Sequence, residues 1–289
     1  MIKKGIILAG GMGTRMSPLT KAVNKQLLPL YDKPLIFYPL SVFMLAGIKK
    51  ILIIVNKGQL AQFKKILPEK NNLGISIEYK EQIKPKGLPQ AFTIGEKFIG
   101  KDNVSLILGD NFFYGQSLTK KLKNNINLKN GAKIFIHPVK DSHKYGVATL
   151  NKKNKVIRLE EKPKKTKSNL AVTGLYFFDN KVIEFTKKLK PSKRGELEII
   201  DLLNIYKRKN KLKAELIGRG GSWLDAGSIK DFYDAGNFVS AIENRQGLKI
   251  ACLEEIALNN NWINKKEIKN SINFYGNCDY SKYLRSLII

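Results

Sequence analysis

The sequence predicts an α/β protein built on a doubly wound, mostly parallel sheet that takes in some mixed strands. Three observations predict it. Short, bulky apolar runs alternate with longer amphipathic segments through the first half, as βαβ units do. The apolar runs are continuous rather than alternating, as in strands covered on both faces. Glycine-rich turns or single charged residues stand where those runs end, the edge at which open α/β sheets bind ligands.

The elements follow in order. "GIILAG" (5–10), "KILIIVN" (50–56), "ISIEYK" (75–80) and "VSLILGD" (104–110) read as strands. Between them "PLIFYPLSVFMLAGI" (34–48), "GQLAQFKKIL" (58–67) and "GLPQAFTIGEKFI" (87–99) read as helices. After about residue 132, "KIFIHPV", "YGVATLN", "VIRLEEKP" and "AVTGLYFFD" are strand-like runs with polar turns, expected to form a second lobe or an insertion. "GELEIIDLLNIYKRKN" (195–210) is an amphipathic helix with Ile199, Leu202, Leu203 and Tyr206 at apolar positions. A further helix near 228–244 is expected to place Ile229, Phe232, Tyr233, Gly236 and Val239 on one face, with shorter helical pieces after it. No repeat, low-complexity tract or flexible linker interrupts the chain, so one compact unit over 1–289 is expected.

With 289 residues and 43% hydrophobic content the chain can bury a substantial core. No run reaches the roughly 18 apolar residues of a membrane span, and "MIKK" leads straight into a strand rather than a cleavable signal. No membrane association and a cytoplasmic location are therefore expected. Cys252 and Cys278 lack metal-ligand spacing, and His137 and His143 are too far apart for a helical metal pair. The formal charge of +28 raises nucleic acid as a partner. Against it, only seven of the 52 basic residues are arginine, and the lysines are scattered among asparagines in stretches such as "KKLKNNINLKNGAK". Such spreading describes a solvated surface, and no nucleic-acid partner is expected.

The residues with chemical potential begin at "GGMGTR". Gly10, Gly11 and Gly13 follow a strand and allow backbone N–H groups to approach phosphate oxygens. The loop lacks the Lys-Ser/Thr of a Walker A motif, and Met16 stands where a dinucleotide fingerprint needs glycine. Arg15 instead supplies a planar, permanently charged fork suited to phosphate. Lys25 and Gln26 return to the same edge in "NKQLLP". Asp110 ends a strand in "LILGDN", and Asp225 has a similar setting in "WLDAG". Two carboxylates with phosphate oxygens and waters would complete the octahedral shell of Mg2+. In "LEEKP", Glu161 could hold a sugar hydroxyl and Lys162 a sugar phosphate.

Taken together, these residues resemble the sugar-nucleotide pyrophosphorylases, and within them the glucose-1-phosphate thymidylyltransferase branch. The resemblance runs over essentially the whole chain. "GIILAGGMGTRMSPLT", "NKQLLPLYDKPLIFYPLSVFMLAGI", "LGDNFFYG", "YGVA", "LEEKP", "SNLAVTGLYFFD", "RGELEI", "WLDAG" and "ENRQGLK" stand in the family's order. It implies a Rossmann-like sheet of the nucleotidyltransferase type with an inserted sugar-binding β-region and a helical C-terminal tail. Residues 1–131 would be the nucleotide-binding core, 132–227 the sugar-phosphate part and 228–289 the helical region.

The nucleotide set it implies is Gly10, Gly11, Gly13, Thr14, Arg15, Lys25, Gln26, Gln82, Gly87 and Asp110, with Gln82 and Gly87 facing thymine. Asn111, Tyr145, Gly146, Glu161, Lys162 and Val172 would take the sugar phosphate. Asp110 and Asp225 would be the magnesium pair, and Arg15, Lys25, Asp110, Lys162 and Asp225 the catalytic set. The substrates would be dTTP and glucose 1-phosphate, the assembly a homotetramer, and the product a precursor of deoxysugars and surface polysaccharide. A relative using UTP ranks second, because uridylyl branches typically carry an acid after the lysine that precedes Gln26. Two departures stand out: Ala226 replaces the usual threonine after Asp225, and Asn259 stands where the family's feedback site has an arginine.

Overall fold

The computed structural model describes residues 1–289. In chain order the first half runs β1 (Lys4–Ala9), β2 (Pro29–Leu30), β3 (Lys33–Pro34), α1 (Phe37–Ala46), β4 (Lys50–Asn56), α2 (Leu60–Ile66), β5 (Ser76–Gln82), α3 (Gln90–Ile94), α4 (Glu96–Ile99) and β6 (Val104–Leu108). Then come β7 (Asn111–Gly115), α5 (Leu118–Asn125), β8 (Ala132–Pro138), β9 (Gly146–Leu150), β10 (Val156–Glu161), β11 (Leu170–Phe178), α6 (Val182–Lys187) and α7 (Ile199–Arg208). The chain ends with β12 (Leu212–Leu216), β13 (Gly221–Asp225), α8 (Ile229–Gln246), α9 (Leu253–Asn259), α10 (Lys265–Tyr275) and α11 (Asp279–Ser286).

The strands expected from continuous apolar runs all form. β1 lies between β4 and β6 and is parallel to both, and β4 is parallel to β5. Ile7, Ile53 and Ile107 enter the core on one face of the sheet, while Ile6, Leu52 and Leu106 enter the core on the other. β1, β4 and β6 are covered on both faces and so are apolar nearly throughout, whereas β5, at the edge of the sheet, departs from the continuous pattern expected of it and alternates, with Ile77 and Tyr79 buried and Ser76, Glu78 and Lys80 exposed. The register sets Leu8 opposite both Ile54 and Leu108, so the carboxyl ends of the parallel strands lie together. On the far side of β6 the next strand, β11, is antiparallel. The later strand-like runs thus extend the same sheet, in the order β10-β9-β11-β6-β1-β4-β5, with β8 beside β11 and β12 beside β8.

Two helical expectations need correction. The stretch 87–99 is broken into α3 and α4 at Gly95, where the turn presses against Ile6 and Leu52 of the sheet. A side chain there would meet the Ile6 Cδ1 at 2.9 Å, so the close approach rather than the period sets the break. The buried face of α8 is also rotated from the expected one. Ala235, Val239 and Glu243 are buried, whereas Tyr233 is 64% and Ile229 38% exposed. The reason is a charge turned inward. Glu243 accepts the Lys33 ammonium at 3.0 Å and the Ile250 N–H at 2.8 Å, fastening α8 to the β2–β3 hairpin.

The short ribbon of β7 and β13 escaped the sequence pattern and matters most for the site. It pairs Asn111 with Asp225 and Phe113 with Trp223. No helix is long and apolar enough to cross a membrane.

Candidate active site

The turn after β1 carries the glycines. Gly10 sits under the Gln82 side chain, and a Cβ there would lie 2.4 Å from the Gln82 Oε1, so a larger residue would push that carboxamide aside. The next residue is clamped from β4: Asn56 accepts the Gly11 N–H at 2.9 Å and donates to the Gly11 carbonyl at 2.8 Å. Thr14, Arg15 and Met16 form one turn of 3-10 helix. Met16 is fully buried, worth about 1.5–3 kcal/mol, and Thr20 bonds the Gly13 carbonyl at 2.8 Å. Arg15 is thereby left exposed on an anchored turn, with its guanidinium next to Gly227 and Asp225.

Lys25 is buried rather than displayed. Asn24 caps the short turn Lys25–Leu27, and the Lys25 ammonium reaches the Asp110 Oδ2 at 2.5 Å. A charge-assisted contact this short is strong, and it draws the loop back onto the end of β6. Gln26 lies beside it with its side chain against Gly109 and a buried Oε1 that has no partner. An unpaired buried acceptor of this kind is costly, and it marks a place where a ligand donor would be welcome.

Asp110 and Asp225 are brought together by the β7–β13 ribbon, and Ala226 N–H closes the junction on the Asp110 carbonyl at 3.0 Å. Ala226 itself is fully buried in an apolar cluster with Leu30, Tyr38 and Phe112. The departure from threonine therefore faces the apolar packing. Burial pushes the Asp110 carboxyl up, but the Lys25 charge and hydrogen bonds from Lys25 and Asn111 overcome this and hold it below the usual range. Asp225 goes the other way. Burial and then the Asp110 charge push it up to about 7, against the pull of Lys25 and Arg15. Two carboxylates so close repel, and a hard divalent cation between them would relieve the repulsion. No group of three or more His, Cys, Asp or Glu residues gathers as a metal cluster anywhere in the chain, so a cation on this pair would draw its other oxygens from substrate and water.

Beside this pair opens a cavity of about 290 Å3, at the small end of ligand pockets. Asn111, Tyr145, Gly146, Glu161, Lys162 and Val172 all line it, together with Arg15, Asp110 and Asp225. Asn111 is almost wholly engaged. Its Oδ1 accepts the Trp223 indole N–H at 2.6 Å and the Gly174 N–H at 3.0 Å, while its Nδ2 donates to Asp110 at 2.9 Å. Both donors fix the amide orientation, so Asn111 aims Asp110 besides lining the wall. The Tyr145 ring packs edge-on to Trp223. Burial, and then the Glu198 charge, raise Glu161 above its ordinary value. Lys162 adopts φ of +41°, a conformation costing a non-glycine residue about 1–3 kcal/mol, with its N–H held by the Tyr145 carbonyl at 3.0 Å.

The remaining expected residues, Gly10, Gly11, Gly13, Thr14, Lys25, Gln26, Gln82 and Gly87, do not line that cavity. They lie along the adjoining ends of β1 and β5 and their loops. The Lys25–Asp110 pair joins the two sets, and Gly87 packs on Leu197, a cavity residue. Sequence reasoning missed Arg194, Trp223, Asn56 and Gln90. Arg194 lines the cavity and bonds both carboxylate oxygens of Glu198, at 2.9 and 2.8 Å. It stood inside the quoted "RGELEI", but nothing in its spacing says that it returns to the pocket. Asn56 had a readable signal, as the last residue of a parallel strand at the ligand edge.

A crevice where strand direction switches, cationic along the glycine turn and with a carboxylate pair beside a small polar cavity, stands where an open α/β sheet binds its ligand. The family model described as "Nucleotidyl transferase" matches residues 4–241, and the chain belongs to that family. It is an enzyme of that class, and its full-length relatives carry one activity in their names. The glucose-1-phosphate thymidylyltransferase of Neisseria meningitidis is 50% identical over 285 residues, 99% of each chain. Among solved structures, a Bacillus anthracis chain provisionally named a glucose-1-phosphate thymidylyltransferase, in complex with a sucrose, superposes with a TM-score of 0.76 at 39% identity, covering 81% of this chain and 94% of that one. A UDP-glucose pyrophosphorylase complexed with UDP-glucose gives 0.72 at 27% identity, over 85% and 100% of the two chains. The resemblance read from the order of the motifs is thus borne out.

Proposed function

We propose that this enzyme transfers dTMP from dTTP to glucose 1-phosphate, giving dTDP-glucose and pyrophosphate. One observation carries the reading: the small cavity holding Glu161 and Lys162 opens onto Arg15, Asp110 and Asp225, the residues that would flank a triphosphate. A phosphate oxygen of the sugar phosphate would attack the α-phosphorus of dTTP. A new P–O bond forms as the bond to the β-phosphate breaks, and pyrophosphate leaves with the electron pair. The attacking oxygen is already anionic, so no proton need move and no histidine is required.

The protein's part is positioning and charge neutralisation. Arg15 and Lys25 offset charge on the triphosphate, Lys162 and Arg194 meet the sugar phosphate, and Glu161 accepts a sugar hydroxyl. Asp110 and Asp225 are a hard-oxygen pair that fits Mg2+. Bound there, the ion would neutralise phosphate oxygens and polarise the reacting phosphorus. The resemblance also supports a cytoplasmic homotetramer and a product used in deoxysugar and surface polysaccharide synthesis.

Pyrophosphate release with glucose 1-phosphate and Mg2+ tests this directly, with dTTP, UTP, CTP, GTP and ATP offered separately. Release is expected to be fastest with dTTP and to stop on chelation of the metal; no release with dTTP overturns the reading. Lys162→Ala is expected to raise the KM for glucose 1-phosphate with little change in kcat, because an anchor of the ground state is an anchor of the transition state too. An unchanged KM in initial-rate measurements removes Lys162 from the sugar site.

A further inference from the structure

Gln82 is buried at the end of β5, and its carboxamide can present either oxygen or nitrogen to the nucleotide side. Gln90, the first residue of α3, removes that choice. Its Oε1 accepts both the backbone N–H of Lys86 and the Gln82 Nε2, each at 2.8 Å. A backbone amide can only donate, so the Gln90 oxygen is obliged to face Lys86. Gln82 must then turn its NH2 toward Gln90. Its own Oε1 is left against Gly10, on the side of the glycine turn. No other protein group hydrogen-bonds the Gln82 carboxamide.

We infer that Gln90 is a specificity-determining positioning residue, which holds Gln82 as a hydrogen-bond acceptor toward a base edge carrying a ring N–H. The inference rests on the reading that Gln82 faces the base of the nucleotide. Thymine and uracil have N–H at position 3 and can donate to a fixed oxygen. Cytosine has a lone pair there, and the same oxygen repels it. A carboxamide free to turn would meet either edge, so the discrimination resides in the residue that stops it turning.

The test compares Gln90→Leu with Gln90→Glu, using glucose 1-phosphate, Mg2+ and dTTP, dUTP or dCTP. The dUTP to dCTP ratio of kcat/KM isolates the edge, and the dTTP to dUTP ratio reads only the 5-methyl group. In Gln90→Leu the first ratio is expected to narrow by about tenfold, the worth of one oriented hydrogen bond, while the second stays at its wild-type value. Gln90→Glu still accepts from both donors, so it should keep the first ratio even if overall rates change. That contrast separates orientation from general damage to the turn. An unchanged dUTP to dCTP ratio in Gln90→Leu, or an equal loss in Gln90→Glu, overturns the inference. A wild-type enzyme that uses dCTP as well as dUTP overturns the base-reading assignment of Gln82 itself, which is a distinct failure.

Discussion

Asp110→Asn is expected to lower kcat by roughly 10²–10³ while the protein stays folded, the scale for removing one preorganised charge contact from a phosphoryl-transfer site. The carboxylate has two duties. It pairs with Lys25 at 2.5 Å and, on the function proposed above, acts with Asp225 as a ligand for the cation. Leaving a buried ammonium without a partner would ordinarily cost about 3–5 kcal/mol. Here Asp225 softens the loss. Part of what pushes Asp225 up to about 7 is the Asp110 charge, so neutralising Asp110 lets Asp225 ionise at lower pH and answer Lys25. The variant should therefore lose far more activity than melting temperature. Initial rates at saturating Mg2+ beside a thermal melt decide it, and near wild-type turnover would remove Asp110 from the site.

Arg15→Ala should cost a similar factor in kcat/KM by a different route. Arg15 is exposed, and its turn is anchored by Met16 and by the Thr20 bond to Gly13 rather than by its own side chain. Stability should hence stay within about 0.5 kcal/mol of wild type, as for an ordinary surface change. Arg15→Lys should recover only part of the loss, because an ammonium is a point charge and cannot make the two parallel contacts of a guanidinium. Full activity in Arg15→Lys would reduce the role of Arg15 to charge alone, and full activity in Arg15→Ala would end its assignment. Pre-steady-state turnover with dTTP distinguishes the two.

Much of the candidate site could be placed from the sequence because open α/β sheets concentrate ligands at one edge. Asp110 followed a continuous apolar strand, and Gly10 followed another, so each could be placed at that edge from its own neighbours. Asp225 could be paired with it only by likeness of setting. The ribbon that makes the pair joins two segments far apart in the chain, and neither run by itself announces the other as its partner. Side-chain burial was less legible than position. Lys25 is 8% exposed, although nothing in "NKQLLP" distinguishes a buried lysine from a displayed one; the distinction comes from Asp110, 85 residues away.

The face of α8 shows the same limit in the scaffold. Hydrophobic spacing selected Ile229 and Tyr233, but an inward Glu243 paired with Lys33 turned the helix otherwise. A charge is buried when a remote partner offsets its desolvation, and the sequence lists no remote partners.

By itself, then, the sequence determined the sheet, its ligand edge, the glycine turn with Arg15 and the two carboxylates, since each depends on residues adjacent in the chain. Tertiary structure alone decided which of these touch. It set Lys25 on Asp110, Asn111 behind Asp110, Arg194 in the cavity and Gln90 on Gln82, because hydrogen bonds and ion pairs between distant segments exist only once the sheet has brought the strand ends within reach.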